Sequence, residues 1–279
     1  MVLIKEIKRV EKQLNEFNNK NTEKKINLAF FDKNLEQLAS KINSQIDFTM
    51  QANAEKRRKE NELKQAIASI SHDIRTPMTS ILGYIQFLES KELSSEKRTE
   101  YTSIIRNGAL RLKVLLEDFF ELSIIESEDY PLKMEKIKMN HLVLEVLVGF
   151  FEQFDQRHLE PILDIPEEEI IIIADSSAVK RVIENLVLNA IKYASGNVSI
   201  RLEKSQSFIH LIISNTVSEL GEKDIVFLFD RFYKADKTRS EKGTGLGLSI
   251  AKSLMIKMQG DLTSELKENE LSMICEWKV

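Results

Sequence analysis

Two apolar seams at helical spacing, separated by a short polar stretch, limit what this chain can fold into more than any other feature. In the first, Leu63, Ile67, Ile70, Ile74, Met78, Ile81, Ile85 and Leu88 recur by fours and threes, the spacing of residues that share one helix face. In the second, Tyr101, Ile105, Gly108, Leu112, Leu115, Phe119 and Leu122 alternate steps of four and three without a fault, as in a coiled coil. Residues 90–95 form the break, with Ser94 or Ser95 suited to cap the second helix. Two long helices joined by a short turn make an antiparallel hairpin. One hairpin cannot bury both seams, so a homodimer forming a four-helix bundle is expected.

The segment Ser-His-Asp-Ile-Arg-Thr-Pro lies at 71–77, inside the first seam. The steps into Ile74 and on to Met78 are both fours, a stutter that locally unwinds a coiled coil. Pro77 removes a backbone donor in the same turn and favours a kink. His72 is two residues from both Ile70 and Ile74, which turns it off the seam toward solvent. Thr76, four residues on, shares its face. A lone helical histidine is more often a surface residue with no role. A solvent-facing imidazole with a hydroxyl one turn away becomes a candidate for chemistry only with support from elsewhere in the chain.

The 279 residues suffice for one to two domains with real cores. The 42% hydrophobic and 30% charged content describes a soluble, helix-rich protein. A formal net charge of -4 offers no bulk attraction to nucleic acid or anionic lipid, and no nucleic-acid partner is expected. No apolar run reaches the roughly 18 residues that a membrane span needs. The single cysteine, Cys275, excludes a disulfide framework within the chain and a cysteine-based zinc site; it reads as a small core residue. A cytoplasmic setting is expected.

Taken in order, residues 1–54 read as a helical or coiled-coil connector. Leu28, Phe31, Leu35, Leu38 and Ile42 form one amphipathic helix in it, after a break at Asn18, Asn19, Asn21 and Thr22. Residues 55–128 hold the helical hairpin. From 129 to 279, strand-like stretches alternate with helices, which argues for a separate α+β domain. Strands are expected near 132–139, 161–165, 169–173, 197–203, 208–214, 261–266 and 271–279. Helices are expected near 140–156, 175–194 and 246–258, with a short one near 224–229.

Three stretches of this domain bear on chemistry. Asn185, Asn189, Lys192 and Tyr193 fall on one polar face of a helix. Amide oxygens suit Mg²⁺, which keeps much of its water and bridges phosphates, and Lys192 offers a charge for phosphate. A solvated helix face is the bland alternative, though two mid-helix asparagines are unfavourable there. The run Gly243-Thr244-Gly245-Leu246-Gly247-Leu248 precedes a helix, where glycines let the backbone approach a polyphosphate and the helix N-terminus offers free N–H groups. Between them, phenylalanines alternate with Arg231, Lys234, Lys237 and Arg239. Such a pattern fits a nucleic-acid surface or a mobile flap that presents its cations to phosphates; the bounding Gly221 and Gly243 favour the flap.

Together these stretches resemble the sensor histidine kinases of two-component signalling. The 71–77 segment is similar to that family's phospho-acceptor box, Glu-Asn185-Leu-Val-Leu-Asn189-Ala-Ile-Lys-Tyr to its N box, Leu-Phe-Asp-Arg-Phe-Tyr to its F box, and Gly-Thr-Gly-Leu-Gly-Leu to its second glycine box. The resemblance covers about residues 55–279. One box departs: where the family has Asp-Asn-Gly-x-Gly-Ile, this chain has Asn215-Thr-Val217-Ser-Glu219-Leu220, with both glycines replaced. An asparagine can still accept from an adenine amine.

The resemblance implies a helical hairpin followed by a two-layer α+β sandwich that binds ATP. It implies ATP held by Asn185, Asn189, Lys192, Tyr193, Asn215, Lys234, Gly243, Thr244, Gly245, Leu246 and Gly247, with Mg²⁺ at Asn189. It implies attack of His72 on the γ-phosphate, Asp73 orienting the imidazole, and transfer to an aspartate of a response regulator. Thr76 is implied to hold water for dephosphorylating that regulator. Members of the family usually carry membrane-spanning sensor segments upstream; none is in this sequence, which is expected to be either a cytosolic member or the cytoplasmic portion of a membrane-bound sensor that meets a membrane only through such a segment. Two alternatives compete: a nucleotide-binding signalling scaffold without phosphotransfer, and a coiled-coil adaptor with a degenerate ATP domain.

Overall fold

A computed structural model describes residues 2–19, 24–29, 32–89, 93–127, 129–218, 220–235 and 243–278. Phe31, Glu219, Lys237 and Arg239, singled out above, lie outside them. The chain divides into two compact units, Met1–Ala68 and Ser69–Val279.

The first unit contains α1 (Val2–Asn18) and the start of α2 (Lys33–Leu88). Between them, residues 24–28 are extended and are held by side-chain amides on both sides. Gln13 accepts from the Asn27 N–H and donates to its carbonyl; Asn43 does the same for Ile26. Glu6 accepts from the Ala29 N–H at 2.6 Å. Since Ala29 meets Glu6 and Asn27 meets Gln13, the connector runs back along α1, so α1 and α2 are parallel. Ile26, Ala39 and Ile46 form the buried cluster, flanked by Val10, Leu14 and Phe17. One expectation is corrected: Leu28 belongs to the connector, not to the helix of Leu35 and Ile42. Residues 2–18 are helical, as expected of a helical connector.

In the second unit, α2 continues through Pro77 to Leu88, and α3 (Ser95–Ile125) returns beside it. Ser94 caps α3, its side chain accepting from the Lys97 N–H. The helices pack closely at Gly108, where an added Cβ would lie 3.0 Å from Ile81 and 3.7 Å from the Pro77 carbonyl. Leu115, Leu122 and Ile125 are buried, whereas Met78, Leu82, Ile85, Leu110, Val114 and Phe120 remain exposed.

The remaining elements form the α+β sandwich. β1 (Met134–Lys138) pairs antiparallel with β3 (Ile171–Asp175). The main sheet runs β2-β4-β5-β7-β6, from Ile162–Asp164, Val198–Lys204, Phe208–Thr216, Glu270–Lys278 and Asp261–Lys267. α6 (Ser176–Tyr193) and α8 (Gly247–Lys257) pack on it, and α4 (Met139–Gly149) packs on α6 and β1. The expected helix near 140–156 is broken at Phe150, so that α5 (Phe151–Gln156) is separate. α7 (Glu222–Ile225) is the short helix of the irregular stretch. Ile183, Leu186 and Ile250 from the helices and Ile200, Leu211, Ile213 and Cys275 from the strands are shielded completely or nearly so. Alternation along β4, β5 and β7 puts these strand residues on one face. Asp175 starts α6 by accepting from the Ala178 N–H at 2.9 Å.

Candidate active site

His72 projects from α2 with 76% of its side chain exposed, as its offset from the seam requires. Asp73 is its neighbour, yet Nδ1 of His72 and Oδ1 of Asp73 are 3.2 Å apart. Adjacent helix positions face different ways, so this contact depends on both side chains bending along the helix surface. Burial pushes the Asp73 carboxyl up in pKa, but bonds from Lys234 and His72 outweigh it and hold the value below the usual carboxylate range. Thr76 donates its hydroxyl to the His72 carbonyl at 3.2 Å, one turn back.

On α6, Asn185 is buried and donates to the Arg181 carbonyl at 3.0 Å. Its Oδ1 points at the glycine run: a Cβ on Gly247 would lie 2.9 Å from it. At the other end of the run, a Cβ on Gly243 would meet the Lys192 ammonium, the mobile end of a long side chain. The absence of a side chain at Gly247 lets the backbone approach Asn185 closely. Asn189 is half-buried one turn beyond Asn185. Lys192 lies 4.6 Å above the ring of Tyr193.

The run is also tied to the flap. Gly245 has φ +74° and accepts, through its carbonyl, from the N–H of Phe232, which itself has φ +63°. A Cβ on Gly245 would meet the Phe232 backbone at 2.9 Å. At the flap's base, Asp224 accepts from Tyr233 at 2.5 Å and from the Gly221 N–H. Burial, and then that bond, pushes the Tyr233 phenol up to about 12. Leu246 is completely buried at the start of α8. Asn215 is buried at the end of β5, opposite Val198 and Leu271, with its amide nitrogen donating weakly to the Thr216 carbonyl at 3.4 Å.

The 71–77 segment on the hairpin and the glycine run on the α+β sandwich thus belong to one compact unit. Residues 62–128 match the His Kinase A phospho-acceptor domain, and residues 174–274 match the histidine kinase-, DNA gyrase B- and HSP90-like ATPase domain. The sensor histidine kinase YcbM of Bacillus subtilis is 28% identical over 244 residues, covering 86% of this chain and 78% of that protein. The chain belongs to the sensor histidine kinases. The sensor protein VanSC of Enterococcus gallinarum is 31% identical over 216 residues, 76% of this chain and 60% of its own length. The sensor histidine kinase WalK of Bacillus subtilis is 28% identical over 227 residues, and only 36% of it is spanned. Among solved structures, the Acinetobacter baumannii histidine kinase AdeS aligns with TM-score 0.61 at 24% identity, over 74% of this chain and 97% of that one. Histidine kinase ThkA, solved in complex with response regulator TrrA, aligns with TM-score 0.67 at 24% identity, over 83% of this chain and 66% of that one. The fold class is thus that of the family: a helical hairpin, then an α+β ATP-binding domain. The protein is a protein-histidine kinase.

In this histidine kinase the hairpin and the ATP-binding domain touch through polar pairs that the sequence reading did not single out. Arg181 of α6 forks onto Glu121 of α3, with donor distances of 2.9 and 2.6 Å, and reaches Asp118 at 3.3 Å. Asp118 also accepts from the Thr244 hydroxyl at 2.7 Å. Lys234 of the flap meets Asp73 at 2.6 Å, and Arg231 meets Glu126 at 2.6 Å. Asp118 and Glu121 share a face of α3 and Glu126 caps its end, but nothing in their local spacing names Arg181, 60 residues from Glu121, as a partner. Flap cation Lys234 is therefore placed beside the phospho-acceptor box.

Proposed function

We propose that His72 is the phosphoryl acceptor and that the face made by α6, the glycine run and the flap binds ATP. The observation that carries this reading is the bridge from Lys234 of the flap to Asp73, whose other oxygen faces His72. Nδ1 of His72 is directed to Asp73, which leaves Nε2 as the nucleophile. An N–P bond forms at Nε2 as the bond between the γ-phosphorus and the bridging oxygen of ADP breaks. Asp73 holds the Nδ1 proton and offsets the charge that grows on the ring. Lys192, Lys234, Thr244 and the glycine backbone supply positive charge and donors to the phosphates, so catalysis is mainly positioning and charge neutralisation. Gly243, Gly245 and Gly247 keep that backbone free of side chains, and Asn215 faces the adenine. Asn185 cannot deprotonate water, which favours histidine over hydrolysis.

Neutral amide oxygens with phosphates are a donor set that fits Mg²⁺. Asn189 is the residue we assign to it, and the ion would neutralise charge between the phosphates.

The phosphoryl group then passes to an aspartate of a response regulator, an O–P bond forming as the N–P bond breaks. ThkA, caught with such a regulator, supports the fold of this reading, and the shared family supports the partner. The exposed apolar residues of the hairpin support a homodimer. We divide the chain into a connector (1–54), a dimerisation and phosphotransfer hairpin (55–128) and a catalytic domain (129–279). Consumption of ATP and a regulator partner support a cytoplasmic setting. Among the described residues no helix is long and apolar enough to cross a membrane.

Thr76 gives the reading its sharpest test. Its hydroxyl proton goes to the His72 carbonyl, which leaves the oxygen lone pairs to hold a water against a phosphorylated regulator. Thr76→Ala should leave autophosphorylation unchanged and slow dephosphorylation of the regulator by roughly tenfold or more. Equal loss of both activities would assign Thr76 to the kinase step instead.

A further inference from the structure

Lys234–Asp73, Thr244–Asp118, Arg181–Glu121 and Arg231–Glu126 all join the ATP-binding domain to the hairpin of the same chain. The Arg181 guanidinium forks onto both oxygens of Glu121 and reaches Asp118. Such a bidentate grip fixes direction as well as distance. Asp118 and Glu121, three apart on α3, present one face to it. Asp118 also accepts from Thr244, so the clamp sets where the glycine run lies against the hairpin. The joint between the two parts is held as well. α3 ends at Ile125 and β1 begins at Met134. Between them, the Ser127 carbonyl accepts from Lys257 of α8 at 2.6 Å, and the Lys133 N–H donates at 2.7 Å to Asp175, the residue that caps α6.

We propose that phosphoryl transfer is intrachain, each ATP-binding domain serving His72 of its own hairpin, and that Arg181 is the positioning residue that sets this register. This rests on the assignment of His72 as acceptor and of the α6, glycine-run and flap face to ATP. The N–P bond then forms at Nε2 of one chain as the γ-phosphorus leaves the bridging oxygen of ADP held by that same chain. To serve a second copy, the domain would have to release Glu126 and Ser127 at the joint, give up the fork onto Glu121, and part α8 from α3.

Docking and bound nucleotide are compatible. Arg181, Arg231 and Lys257 have no phosphate role in this reading, so their grip persists with ATP in the site. Lys234 has three N–H donors to divide between Asp73 and a phosphate, and Thr244 offers its backbone N–H besides its hydroxyl. Lys234 thus bridges the acceptor box and the phosphates within one chain.

The test co-expresses two full chains with different tags, purifies heterodimers through both tags, and labels them with γ-labelled ATP and Mg²⁺. A wild-type chain paired with His72→Ala/Asn189→Ala should still be labelled. His72→Ala paired with Asn189→Ala should give no label on either chain. The reverse pattern would overturn intrachain transfer. If the chains do not associate, a labelling rate per chain independent of concentration supports the proposal, and one proportional to concentration overturns it. Arg181→Glu should lower kcat for labelling roughly tenfold or more with KM for ATP unchanged, and Arg181→Glu/Glu121→Arg should recover most of the loss. A loss carried by KM, or one that the reversed pair does not recover, would overturn the positioning role. A wild-type protein that takes no label under the same conditions would instead remove the acceptor and ATP assignments, and the proposal with them.

Discussion

Along the α+β domain, Ile183, Ile200, Leu211 and Ile250 are fully shielded from solvent, whereas on the hairpin Met78, Leu82, Leu110 and Val114 are about half exposed. Both regions have apolar residues at the right period for their elements. The difference lies in what each can pack against. A five-stranded sheet with helices across it closes its own core. Two antiparallel helices have a second apolar side that is exposed among the described residues, except at the end of α3, where Leu122 and Ile125 are buried and α3 packs on α8. The domain closes its core within one chain. On the reading proposed above, the hairpin is completed by a second copy, with the proposed nucleotide groups on the self-sufficient part and His72 on the part completed by association.

Substitutions can break this contrast in order of size. Leu211→Ala empties a site in the centre of the sheet and should cost about 3 kcal/mol of domain stability, read as a denaturant midpoint that does not depend on protein concentration. Leu82→Glu should leave that midpoint almost unchanged and instead weaken the dimer by about 2 kcal/mol per buried leucine, seen as a shift to monomer in sedimentation equilibrium. A Leu82→Glu protein that remains fully dimeric would mean that the exposed stripe is not the dimer contact. Gly245→Ala should be smaller still in stability, about 1 kcal/mol from its left-handed backbone, because the strain falls on the flap and not on the core. It should nonetheless weaken ATP binding by roughly tenfold, since its methyl group would push the run off Phe232.

The parts of the fold that follow a simple period were legible in the sequence. The seams of α2 and α3, the alternation in β4, β5 and β7, and the capped start of α6 all emerged near the positions expected. In the first unit Leu28 was misplaced because the connector is held by Gln13, Asn43 and Glu6 rather than by a period: side-chain bonds to a non-helical backbone leave no repeat. Leu28 kept helical spacing with Leu35 by coincidence. The individual elements of the candidate site were visible as motifs. Their convergence was not: Asp118, Glu121 and Arg181 are joined only by the way α3 lies on α6 and α8. Asn215 shows the opposite case, a motif position with a clear residue type whose burial at the end of β5 could not be read from its neighbours.

The central claim is that His72 takes the phosphoryl group from ATP. The direct measurement is incubation of the purified chain with Mg²⁺ and γ-labelled ATP beside His72→Ala, followed by acid and alkali treatment of the labelled protein. Acid-labile, alkali-stable label on the wild type and none on the variant is the predicted result. Label that persists on His72→Ala would contradict the assignment.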